Sequence, residues 1–121
     1  MVKSYKDLEV WQKSVALVTE IYALTKKFPD DEKFGLTNQV RRAAVSVPSN
    51  ISEGSERKST QDFIRYINIA AGSLAEVQTQ LIIAENLGYI KLNSEINEKI
   101  QHVQAMLGAL RKALQNKEEK R

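Results

Sequence analysis

From Tyr66 to Ala84 the chain runs for 19 residues with a single charge, Glu76. Across this stretch Phe63, Ile67, Ala70, Leu74, Val77, Leu81 and Ala84 recur alternately four and three apart. That is the two-sevenths rhythm of a helix packed lengthwise on other helices. It predicts a helix over about 60–87, on the order of 40 Å long at 1.5 Å per residue. A second stripe, Tyr66, Ile69, Ser73, Glu76 and Gln80, runs beside the first, while Ile82 and Ile83 lie off the main seam and Gly72 points away from it. A helix apolar nearly all round belongs in an interior, yet a lone four-helix bundle leaves each helix one wet side. The competing reading is an ordinary core helix whose Asn68, Gln78, Thr79 and Asn86 face water. The scarcity of charge favours a subunit interface, with Tyr66, Ile69, Gly72, Ser73, Gln80 and Ile83 as its candidates. Glycine at mid-helix costs roughly 1 kcal/mol relative to alanine, and close approach of a second backbone would account for Gly72.

Three more helices are expected. The first runs from about Ser4–Asp7 to Phe28, with Leu8, Trp11, Val15, Val18, Tyr22 and Thr25 as its seam and Phe28-Pro29 as its stop. The second begins somewhere between the acidic Asp30, Asp31, Glu32 and Leu36, and buries Leu36, Val40, Ala43, Ala44, Val47 and Ile51. Pro48 predicts a kink between Ala44 and Pro48, and Gly54 reads as the left-handed residue that ends the helix. Ser59 or Thr60 caps the third helix. Leu87-Gly88-Tyr89 ends it, and Asn93 or Ser94 caps a fourth whose Ile96, Ile100, Val103, Leu107, Leu110 and Leu114 again alternate four and three. Short connections make the economical fold an all-α, antiparallel up-down-up-down four-helix bundle. One domain spans 1–121, with a frayed basic tail from about residue 116.

Beside the core face of helix two runs a polar stripe of Gln39, Arg42, Ser46, Asn50 and Glu53. A solvated helix face is the plain reading. Against it, no charge falls between Ala43 and Ser52, and Ser and Asn are poor mid-helix residues unless their side chains find partners. A buried polar seam, made by Asn50 and Glu53 with Ser73 and Glu76, is the sharper expectation.

These residues also carry a resemblance. Leu8-Glu9-Val10-Trp11-Gln12, Phe28-Pro29, Gly35-Leu36, Arg42-Ala43-Ala44, Ser46-Val47-Pro48-Ser49-Asn50-Ile51-Ser52-Glu53-Gly54 and Ala71-Gly72-Ser73-Leu74-Ala75-Glu76 resemble the four-helix bundle proteins encoded in intervening sequences of bacterial 23S ribosomal RNA genes. The likeness runs from about Leu8 to Ile90. Its most specific part is Asn50 to Gly54 followed by Ser73 and Glu76, and Ser46 belongs to the same motif. The resemblance implies a bundle assembled as a ring of five with no established catalytic activity. It is also similar in architecture to the basic, nucleic-acid-binding accessory proteins of diversity-generating retroelements.

Composition narrows function mainly by exclusion. Without cysteine there is no disulfide framework or thiolate metal site. The start has no apolar signal-peptide core, and no apolar run approaches membrane-spanning length, so a cytoplasmic protein is expected. Phosphate-cradling glycine loops are missing, the single His102 lies off its helix seam, and no spacing matches a catalytic triad or a di-iron site. Glu53 and Glu76 are a possible carboxylate pair only if the fold joins them. The expectation is no enzyme, no metal and no cofactor. Residues 1–107 hold 13 bases and 13 acids, whereas residues 108–121 hold five bases and two acids and supply the whole net charge of +3. Arg41, Arg42, Arg57, Lys58 and Arg65 read as a cluster around the junction of helices two and three, with Arg111 and Lys112 added from helix four. Repeated around a ring, such a cluster attracts a polyanion. Two functions stay open: an oligomer binding structured RNA or DNA with little sequence specificity, and a protein-interaction ring that touches no nucleic acid.

Overall fold

The computed structural model describes residues 4–120, and helices α1 (Glu9–Thr25), α2 (Leu36–Ser55), α3 (Thr60–Asn86) and α4 (Ser94–Glu119) make up most of them. Single 3-10 turns at Tyr5–Asp7 and Asp30–Glu32 lead into α1 and α2. Local chemistry sets the helix ends. The Asp62 N–H donates to Ser59 Oγ at 3.0 Å and the Ile96 N–H to Asn93 Oδ1 at 2.9 Å, capping α3 and α4. Gly88, at φ +80°, closes α3 in a Schellman motif, its N–H bonding the Glu85 carbonyl while the Tyr89 N–H bonds that of Ala84, both at 3.0 Å. Helix α4 runs to Glu119, and Arg121 lies outside the described residues.

Each helix packs against its neighbour in sequence, α1 touches α4 more lightly, and neither diagonal makes a close approach. Side-chain bonds show the antiparallel order. Ser46 faces Ser73 while Gly54 lies against Phe63 and Tyr66, and Gln104 bonds Gln78 while Arg111 reaches back to Asn68. Lys99 closes the α1–α4 side through Glu20 at 2.6 Å. The core holds the α3 seam from Ile67 to Ala84, and Val40, Ala43, Ala44, Val47 and Ile51 of α2. From α4 it takes Ile96, Ile100, Val103 and Leu107, with Leu110 and Leu114 partly buried against it.

Two expectations need correction. The buried row of α1 is Val10, Ser14, Leu17, Ile21 and Thr25, so Val15 and Tyr22 are exposed, and Leu8, Trp11 and Val18 only flank the core. Thr25 was expected in the seam and is buried there, and a serine at position 14 disguised the rest of the true row. Ser14 Oγ donates to the Trp11 carbonyl and Thr25 Oγ1 to that of Ile21, both at 2.9 Å, which lets each be buried without an orphaned polar atom. Nor does Gly54 end α2 in a left-handed turn. It is buried within the helix, and a Cβ built there would sit 2.6 Å from Tyr66 Cβ and 3.0 Å from Phe63 Cδ1. Glycine here lets α2 and α3 meet. Helix α2 also continues through the buried Pro48.

The start of α2 is held from a distance. Gly35 offers no capping side chain, and Glu32 Oε1 accepts the Leu36 N–H at 3.0 Å while its Oε2 accepts the Tyr89 hydroxyl at 2.7 Å. The carboxylate thus ties the α1–α2 connection to the α3–α4 connection. The bonds from Leu36 and then Tyr89 hold the Glu32 carboxyl below its ordinary range. The unfolded chain therefore binds this proton more readily, and the stabilisation is present above about pH 4.3 and lost as pH falls through the folded value. Glu32→Gln is expected to melt lower than the parent at pH 7 and to show a flatter decline between pH 6 and pH 3. Parallel melting curves across that range would refute this role.

Candidate nucleic-acid interface and the cleft between α2 and α3

The polar stripe of α2 meets α3 at a short hydrogen-bonded chain. Asn50 Nδ2 donates to the Ser46 carbonyl and to Ser46 Oγ, both at 2.8 Å, and Ser46 Oγ lies 2.9 Å from Ser73 Oγ. Ser73 is buried, while Ser46 and Asn50 are half-buried. The two glutamates expected to complete this seam stay outside it. Glu53 is exposed and pairs with Arg57 at 3.1 Å, at the level of Tyr66. Glu76 is exposed ten residues farther along α3, about 15 Å away at 1.5 Å per residue, so no carboxylate pair forms. Above Ser46 and Ser73 the helices part to leave an open cleft of about 360 Å³, lined also by Gln39, Arg42, Glu76 and Gln80. Gln80 Oε1 is buried without a hydrogen-bond partner among the described residues. It is an acceptor facing no donor.

The predicted basic cluster separates into parts with different roles. Arg41 and Arg42 lie sixteen residues before Arg57 and Lys58, about 24 Å along α2, rather than at the α2–α3 junction. Arg41 turns to α1. Its Nε donates to Thr25 Oγ1 at 2.8 Å, its Nη2 to the Tyr22 carbonyl at 3.3 Å, and its guanidinium sits 4.5 Å from the Tyr22 ring centroid. A cation bonded to a carbonyl of the last turn of α1 complements that helix's dipole, so Arg41 is a structural residue. Arg42 is exposed on the cleft.

At the other end, Arg57 and Arg65 both lie against the Tyr66 ring, at 4.9 Å and 4.8 Å from its centroid. Arg57 also donates to the Tyr66 hydroxyl at 2.6 Å, and its hydrogen bond to Glu53 leads the contacts that raise its pKa, so its charge is fixed in place. Arg65 has Asp62 at 3.6 Å. Antiparallel packing brings the end of α4 to the same end of the bundle. There Arg57, Lys58 and Lys117 line one groove of about 470 Å³ with Tyr5 and Phe63. Lys117, which falls in the basic tail, lies on the last turns of α4. The rhythm through Leu110 and Leu114 carried that signal, since Lys117 follows Leu114 at the next helical step of three. Arg111 donates to Asn68 at 3.4 Å, and Lys112 is exposed one residue on.

The family model for the 23S rRNA-intervening sequence protein matches residues 6–109. The chain belongs to this family. A crystal structure of a protein of unknown function from the S23 ribosomal protein family of Bacteroides thetaiotaomicron is similar, with 27% identity and a TM-score of 0.77. The match covers 85% of this chain and 95% of that one. No curated protein matches.

On this 23S rRNA-intervening sequence protein the outer face of α3 is largely apolar, with the exposed Glu76 as its one charge between Ile69 and Ile83. Ile69, Ile82, Ile83 and Leu87 are 42%, 53%, 42% and 55% exposed, and a Cβ on the exposed Gly72 would meet nothing within 4 Å. The α3 residues singled out as interface candidates do not share one environment. Ser73 faces α2, Tyr66 is half-buried beneath two arginines, Gln80 lines the cleft, and Ile69, Gly72 and Ile83 face outward. His102 is exposed on α4. Among the described residues no helix is long and apolar enough to cross a membrane.

Proposed function

We propose that this protein is a non-enzymatic, self-associating helical bundle that binds nucleic acid through its basic end with little sequence specificity. The observation that carries this reading is the convergence of Arg57, Lys58 and Lys117, from the end of α2 and the end of α4, on one groove. Arg65, Arg111 and Lys112 belong to the same end of the bundle. In a closed ring of five, the size implied by the family likeness, that end repeats around an axis and its fields add. Contacts from lysine and arginine without a base-reading element favour the phosphate backbone. Self-association draws its support from the exposed isoleucines of α3 and from the cleft, where a second copy supplies the donor that Gln80 Oε1 lacks.

A gel shift of the purified oligomer with RNA and with DNA, repeated across salt concentrations, tests the reading. Binding should weaken with a log–log slope of about −0.7 per phosphate contact for single strands, or about −0.9 for duplex DNA. Arg111→Glu with Lys112→Glu should flatten that slope. Arg41 is unsuited to such a test, because reversing its charge breaks its bonds to α1. The second reading, a protein-interaction ring, is favoured by the same apolar α3 face. It takes over if the intact oligomer shifts neither RNA nor DNA at low salt.

A further inference from the structure

We infer that the groove at the basic end of the bundle is a seat for one nucleic-acid strand, with a phosphodiester held by Lys58 and Lys117 and a base stacked on Tyr5. The inference rests on the nucleic-acid reading above and adds the site and the class of ligand to it.

Four segments far apart in sequence build the groove: the turn before α1, the α2–α3 junction, the first turn of α3 and the last turns of α4. Its three cations differ in what holds them. Arg57 is fixed by Glu53 and Tyr66, whereas Lys58 and Lys117 make no ion pair or hydrogen bond among the described residues. Among the described residues Glu56 is the one acid in the lining, against three bases. Local charge therefore favours an anion, and two unpaired ammonium groups line the groove to meet it. Tyr5 brings an aromatic ring to the same groove. It is half-buried, and it packs edge-on against Trp11 with centroids 5.2 Å apart, which fixes its orientation.

A cationic groove with an aromatic ring in its wall is the general chemistry of single-strand binding, in which the charge follows the backbone and the ring takes a base face. A volume of about 470 Å³ lies in the range that encloses one small-molecule ligand, so it accommodates a nucleotide unit. A base face free to stack on Tyr5 belongs to a single strand rather than to a paired duplex. The apolar floor of Phe63, Leu110 and Leu114 suits a base or sugar better than solvent.

The test is fluorescence anisotropy of the full-length protein with a labelled oligouridylate of about 12 nucleotides, a length within single-strand site sizes, and with an RNA duplex of equal length. The oligouridylate is expected to bind more tightly than the duplex. Lys58→Glu with Lys117→Glu should weaken it at least tenfold and flatten the salt slope by roughly 1.4, two contacts at about 0.7 each. Tyr5→Leu should cost about tenfold while Tyr5→Phe costs little, because stacking needs the ring and not the hydroxyl. Lys91→Glu, in the α3–α4 connection at the opposite end of the bundle, should leave affinity within about twofold. Sedimentation and melting of each variant confirm that assembly and fold are kept. The groove assignment is overturned if the lysine variant and Tyr5→Leu bind like the parent, or if duplex binds as tightly as single strand; the wider nucleic-acid reading then still stands. If the parent binds neither probe at low salt, that reading falls and takes the groove with it.

Discussion

Gly54→Ala should lower the stability of the bundle by about 1–2 kcal/mol, although alanine is the better helix former. Two effects oppose each other. Removing a glycine from a helix gains up to about 1 kcal/mol in propensity. The added methyl, however, lands 2.6 Å from Tyr66 Cβ and 3.0 Å from Phe63 Cδ1. The first of these is the root of a side chain on a packed helix, so relief requires α2 and α3 to separate. Overpacking of a tight core typically costs about 1–3 kcal/mol, and Gly54→Val should cost more again. Urea or thermal unfolding reads the effect. Gly54→Asn distinguishes this cause from a left-handed cap, which asparagine tolerates. At a close approach asparagine should be at least as damaging as alanine. Retained stability in the asparagine variant would show that glycine serves a turn there and not a contact.

That case shows where sequence and structure part. A glycine between two helical patterns carries the same local signal whether it ends a helix or lies under a neighbour, because only the second helix supplies the clash. Helix α3 was legible because its seam, Phe63 to Ala84, is not interrupted by a polar residue. Helix α1 was misread because Ser14 occupies its buried row and satisfies its hydroxyl on the preceding turn. The caps at Ser59 and Asn93 follow from residue chemistry within three positions, and the structure keeps both. The candidate site was legible only in part. Which bases share a surface depends on topology, so Arg41 looked like part of a cluster when it caps α1, and Lys117 looked like a loose end when it lines a groove. The glutamates of the polar stripe followed the helical wheel, but Glu53 pairs with Arg57 on the exposed side of the helix.

Gly72→Leu should weaken self-association while leaving the single bundle as stable as before or slightly more so. The position suits this test because the two effects separate cleanly. Within one chain a Cβ on Gly72 meets nothing within 4 Å, so the larger side chain costs no packing. Replacing a mid-helix glycine with leucine gains most of the roughly 1 kcal/mol glycine penalty. In the proposed assembly the same residue lies among the exposed Ile69 and Ile83 on the outer face of α3, where a second copy would pack. A leucine there holds the backbones apart. Ile83→Asp attacks the same face from the other side, removing about 1.5–3 kcal/mol of apolar burial and leaving an unpaired charge in the contact. A closed ring uses each interface once per subunit, so either change is felt at every contact. Sedimentation velocity of the parent at micromolar concentration should show one assembled species, Gly72→Leu should shift it toward smaller species, and Ile83→Asp should yield monomer with an intact helical spectrum. A monomeric parent would remove the ring from the proposed function. An unchanged Gly72→Leu oligomer would move the interface off this face of α3.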